Sequence, residues 1–275
     1  MTALFFALAF ALTWGVQLPA LLAHLGVVSG PPERYMALVG LGAFGPMAAA
    51  MIAGRVERAP GRPLFRKLQI SRVGARWYLA ALLLPGGIFV LAAATWNALG
   101  HAEPLFYLPD RPEFVAAAIV FPFGEEVGWR GFALPRLLER HGPLKASVIL
   151  GLFWTVWHVP MLTLQGVPLP LYAVLVPFFV GGSVLFTWIY RHTRGSLLLA
   201  VLTHVGAHLN NPAHALPGRA TPVVIHAASY GLLAALLVRL DRPGWLTPNP
   251  AIRSTRLMSP RAETPDLSAQ DHHFR

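Results

Sequence analysis

The chain has 275 residues, of which 55% are hydrophobic and only 12% charged, and its mean hydropathy is +0.53. An ordinary soluble domain carries about 25% charged residues, so the composition excludes one and predicts a polytopic membrane protein. There is no cysteine, which excludes disulfides, zinc–thiolate sites and a thiol nucleophile and leaves His, Asp and Glu as the side chains that can hold a metal.

Eight apolar stretches, each near the ~20 residues a helix needs to cross hydrocarbon, predict an all-α transmembrane helical bundle. They run at about 3–28, 35–54, 76–99, 113–134, 145–165, 169–190, 195–211 and 221–240. The first lacks a basic leader and a small-residue cleavage site, so it reads as a retained helix. The net charge of +10 would suit a nucleic-acid partner, but its distribution points elsewhere. Apart from Arg130 within span four, all basic residues except Arg34, Arg111 and Arg219 fall in or at the edges of the loops after even-numbered spans, or in the tail. That asymmetry predicts a multi-pass protein with both termini cytoplasmic, and it accounts for the charge as an orientation signal with no nucleic-acid partner. Residues 1–240 form the membrane domain of this reading, and 241–275, rich in Pro, Ser, Thr and charge, a disordered cytoplasmic tail.

Span four carries Glu125-Glu126-Val127-Gly128-Trp129-Arg130 after the apolar run 114–123. A charge near a bilayer centre costs at least ~2.5–3.5 kcal/mol, so two acids there need partners, water or protonation. Span five offers Trp154 and His158, four apart, and span seven offers His204 and His208, also four apart. Residues at that spacing share a helix face. With ~1.5 Å of rise per residue, Glu125, His158, His204 and His208 fall in the middle third of a ~30 Å core. They can meet. Pro122, Gly124, Gly128 and Gly131 flank the acids and predict a water-lined break in span four.

These residue types suit peptide hydrolysis. Glu126 and Arg130 are spaced to pair, which leaves Glu125, about 100° round the helix, to take and return a water proton. His158 can orient that water, and His204 and His208 can donate to a developing oxyanion. Alternatively Glu125, His158 and His204 are three ligands of a divalent metal such as zinc with an open fourth position. Other readings of the same residues are a structural ion pair for Glu126 and Arg130, interhelical hydrogen bonding for the histidines, and packing for Trp154 and Trp157. His226 reads as structural. At the level of the whole protein, the rivals are a proton-coupled transporter and a non-catalytic immunity or scaffold protein.

The pattern Glu-Glu-x-x-x-Arg, then aromatic-x-x-x-His, then His-x-x-x-His over residues 113–212 resembles the CAAX protease and bacteriocin-processing family of intramembrane endopeptidases, which includes the type II CAAX prenyl endopeptidases. The resemblance implies that Glu125 is the catalytic acid/base, supported by Glu126 and Arg130, that His158 holds the nucleophilic water and that His204 stabilises the oxyanion. His208 stands where the family often has Asn, and Asn210 or Asn211 is an alternative for that role. Both metal-dependent and metal-free glutamate mechanisms have been argued for the family. The substrate implied is a membrane-associated protein or peptide. A usage of 20 Arg against 2 Lys suits a GC-rich bacterial genome, and with it a bacterial cytoplasmic membrane and a precursor peptide or membrane protein as substrate.

Overall fold

Hydrocarbon tolerates only spanning structures that satisfy their own backbone groups, and among the described residues every regular element is a helix. The structure, a computed structural model, describes residues 1–57, 64–65, 67–69, 73–102, 104–105, 111–209 and 220–246. Asn210, Asn211, the loop arginines Arg58, Arg62, Arg66 and Arg72, Arg219 and the tail beyond 246 lie outside them.

Helix α1 is Thr2–His24 and α2, which includes short 3₁₀ turns, is Pro32–Val56. Helix α3 is Ala75–Ala98, α4 Pro112–Glu126 and α5 Leu134–Arg140, with a π-helical turn, Val127–Ala133, joining the last two. Then come α6 Pro143–Trp157, α7 Val159–Leu164, α8 Leu169–His192, α9 Leu197–Leu209, α10 Ala220–Leu240 and α11 Arg242–Leu246. Among the described residues each of the eight apolar stretches lies mainly on helix. By length and composition α1, α2, α3, α8 and the Val223–Leu240 part of α10 are each sufficient to cross a membrane, while α6 and α9 are shorter apolar helices. The chain is an integral membrane protein.

The stretches that carry the polar residues are the ones built from shorter pieces. The fourth is not an open break: it continues through the π-helical turn, whose seven residues are all buried. Its glycines serve close packing. A Cβ on Gly124 would lie 2.7 Å from the Ala43 carbonyl oxygen, and one on Gly128 would lie 2.5 Å from the Pro46 backbone. Their bare surfaces let α4 and the turn lie directly on α2. The fifth stretch divides at His158, two residues before Pro160, which has no N–H to continue the ladder. Around these pieces α8 packs between α6 and α10, and α9 packs between α3 and α4. Between α8 and α9, Arg194 takes φ 57° and the Gly195 N–H donates to the Tyr190 carbonyl at 2.8 Å, a left-handed helix stop that starts α9 close to the end of α8.

Order extends past residue 240, where sequence composition predicted the tail to begin. Helix α11 buries Trp245 completely, its Nε1 donating to the Leu237 carbonyl at 3.1 Å. The Arg191 guanidinium lies over that ring at 5.3 Å and pairs with Asp241 at 3.6 Å. One large aromatic side chain, in a segment without apolar periodicity, supplies the anchor.

Two substitutions test this packing. Trp245→Ala is expected to cost about 3–5 kcal/mol, read as a clear fall in the thermal midpoint of detergent-purified protein. Gly128→Val is expected to lower the yield of folded, monodisperse protein, because the new side chain meets backbone rather than a flexible side chain. Wild-type yield for this variant on size-exclusion chromatography would contradict the close approach.

Candidate active site in the bundle core

The π-helical turn widens α4 just where the acids end, and it keeps Glu126 and Arg130 one turn apart and facing the same way. Arg130 Nη1 donates to Glu126 Oε1 at 2.8 Å, with both side chains fully buried. Taking two charges out of water costs several kcal/mol each, so such a pair persists only where further groups support it. Two aromatic faces do so. The guanidinium lies 4.7 Å from the Trp154 ring and 4.5 Å from the Phe186 ring, sandwiched between α6 and α8. Among the described residues Arg130 Nε and Nη2 and Glu126 Oε2 have no hydrogen-bond partner.

The same Glu126 Oε1 is also 2.9 Å from His204 Nδ1 on α9. Because a carboxylate accepts, Nδ1 carries the proton, and Nε2 is the nitrogen left for chemistry. Glu126 therefore ties the π-helical turn to α9 and sets the tautomer of His204. Its neighbour Glu125, 4% exposed, turns the other way and accepts at Oε2 from Trp154 Nε1 at 2.9 Å.

The remaining histidines differ in how they are held. His208 lies one turn along α9 from His204, ring centroids 4.7 Å apart. Donor atoms of Glu125, His204 and His208 all lie within 4.8 Å of one another, the only such cluster of three or more His, Asp or Glu ligands among the described residues. His158, expected with Glu125 and His204 as a ligand trio, is not in that set; His208 stands in its place among the clustered donor atoms. The reason is local. His158 sits in the turn that ends α6, partly buried, with Nδ1 donating to the Trp154 carbonyl at 2.8 Å and its ring centroid 4.4 Å from that of Phe179. Its Nε2 faces outward from that anchor. The trio of one carboxylate and two imidazoles fits a divalent cation with an open position. Glu126 behind His204 is the carboxylate that commonly fixes a ligating imidazole.

The structure thus brings all six sequence-selected residues, Glu125, Glu126, Arg130, His158, His204 and His208, into the bundle core. Trp154 and Phe186 were missed as site residues. The sequence offers Trp154 as packing, yet it links Glu125 to the ion pair by donating to Glu125 and covering Arg130, with its ring edge-on to His204 at 5.4 Å. Its place one turn before His158 was the available signal. For Phe186, in an evenly apolar helix, there was none.

Residues 107–210, which include every one of these groups, match the family model described as type II CAAX prenyl endopeptidase Rce1-like. A CAAX prenyl protease 2 from Methanococcus maripaludis is 27% identical over 130 residues, or 43% of this chain. The aligned stretch spans 46%, about half, of that relative's length. This match lies on the same helices as the buried acid and histidine cluster, so over its core helices the chain is similar to the type II CAAX prenyl endopeptidases.

Proposed function

We propose that the protein is an intramembrane endopeptidase that hydrolyses a peptide bond of a membrane-associated protein or peptide, with Glu125 as the acid/base. The observation that carries this reading is the division of labour between adjacent acids. Glu126 is engaged by Arg130 and His204, whereas Glu125 is held by Trp154 and faces the His204 and His208 donor atoms.

In this mechanism the Glu125 carboxylate takes a proton from water as the water oxygen attacks the scissile carbonyl carbon. The carbonyl π electrons move to oxygen. Collapse of the tetrahedral species breaks the C–N bond, and Glu125 returns the proton to the leaving nitrogen. His158, whose Nδ1 proton is engaged with Trp154, accepts from the attacking water at Nε2 and orients it. His204 can donate to the oxyanion only as the imidazolium, because its Nδ1 proton already faces Glu126; the Glu126 carboxylate is placed to stabilise that cation. In the neutral form Nε2 is a lone pair and suits a metal instead. The Glu125, His204 and His208 cluster favours this second version. A divalent cation such as zinc held there would supply Lewis-acid polarisation of the scissile carbonyl. In both versions Glu126, Arg130 and Trp154 orient the reacting groups. The basic loops favour cytoplasmic termini, and Arg-rich usage favours a bacterial membrane and a precursor peptide or membrane protein as substrate.

The first test is cleavage of a panel of membrane-anchored peptides by purified protein. Glu125→Gln is expected to lower kcat by roughly 10²–10⁴-fold with little change in thermal midpoint. Glu126→Gln, which leaves Arg130 buried without its counter-charge, is expected to lose about 3–5 kcal/mol of stability. Full activity in folded Glu125→Gln would overturn the assignment. The metal version is checked separately by elemental analysis after dialysis. One equivalent of a divalent metal in wild type, lost in His208→Ala, is the expected result, and stoichiometric metal in both proteins would remove His208 from the ligand set.

A further inference from the structure

The joint at His158 is held from an unexpected direction. Helix α6 ends at Trp157, where the His158 N–H makes only long bonds, 3.3 Å to the Trp154 carbonyl and 3.2 Å to that of Thr155. Pro160 offers no N–H to the Val156 carbonyl one turn back. At this weak point Trp14 of α1 reaches in, and its Nε1 donates to the Trp157 carbonyl at 3.1 Å. That carbonyl belongs to the peptide unit joining Trp157 to His158. A hydrogen bond to it therefore fixes the plane from which the His158 side chain departs.

The indole is itself braced. Its ring centroid lies 5.2 Å from that of Phe10, whose ring meets Phe153 of α6 edge-on at 6.2 Å. Trp14 is 36% exposed, so core burial is not what holds it. Its polar edge points inward at a backbone carbonyl, not outward to an interface. Trp14 also lies 93 residues before residue 107, outside the stretch that matches the family model.

We propose that Trp14 is a positioning residue of the site: its N–H holds the Trp157–His158 peptide plane and so fixes where His158 presents Nε2. Two anchors then define the histidine, the Trp154 carbonyl on its ring and Trp14 on the peptide that precedes it. The role of His158 in hydrolysis rests on the function proposed above, but the positioning itself does not.

The test replaces Trp14 by its sulfur isostere, benzothienylalanine, which keeps ring shape and removes the N–H, with Trp14→Phe as a second variant. Two readouts are taken on full-length protein in nanodiscs. One is the ring nitrogen-15 resonances of His158, identified by their loss in His158→Gln; the other is the kinetics of peptide cleavage. The expected result is a shift of the His158 resonances in both variants, with kcat lowered roughly tenfold, about what one hydrogen bond is worth, KM within about twofold and the thermal midpoint unchanged. Unmoved His158 resonances in the isostere overturn the proposal, as does wild-type kcat. If wild type cleaves no peptide, the hydrolase reading fails, and the resonances alone decide whether Trp14 positions His158.

Discussion

A carboxylate and a guanidinium withdrawn completely from water, Glu126 and Arg130, are the constraint from which the rest of this bundle core follows. Neither can be left alone in a low-dielectric interior. The arginine is accordingly enclosed by the faces of Trp154 and Phe186, and the glutamate takes a second donor from His204. Those contacts pull α6, α8 and α9 onto the π-helical turn. Bare glycine surfaces at 124 and 128 admit the fourth wall, α2. The pair thus fixes the positions of the groups around it, and Glu125, one residue away, inherits a rigid frame without being used by it.

Two adjacent acids in such a frame are given different tasks by helix geometry alone. Side chains one residue apart diverge by about 100°, so the one that faces Arg130 is neutralised and the other is offered to the pocket. Trp154 ties the two together, with its N–H on Glu125 and its π face on Arg130. A change at this tryptophan is therefore felt by both acids at once. The histidines extend the same logic: each is fixed through Nδ1, His204 by Glu126 and His158 by the Trp154 carbonyl, which leaves the two Nε2 atoms for reacting partners.

Much of this was legible in the sequence, because the decisive contacts within a helix have fixed spacing. The four-residue interval from Glu126 to Arg130 announced their pairing, and the interval from His204 to His208 announced a shared face. Contacts between helices carry no such ruler. Which oxygen of which acid meets His204 depends on the rotation of α9 about its axis, and whether His158 or His208 completes the donor cluster depends on where α6 ends. Pro160 marked that end, but the sequence could not say that the carbonyl exposed there would find Trp14. The glycines of the fourth stretch looked like a break because a missing side chain loosens a helix; here the space it leaves is filled by the α2 backbone. Trp245 was lost in a segment whose composition otherwise resembles a tail.

On the proposed mechanism, water activated at Glu125 ends up in a new carboxyl group. Incubating purified protein with a membrane-anchored peptide in oxygen-18 water and weighing the intact fragments by mass spectrometry tests it directly. The result expected is a new C-terminus carrying one solvent-derived oxygen-18, formed by wild type and absent with folded Glu125→Gln. A labelled fragment formed equally by both proteins, or no fragment from any peptide tried with folded wild type, would contradict it.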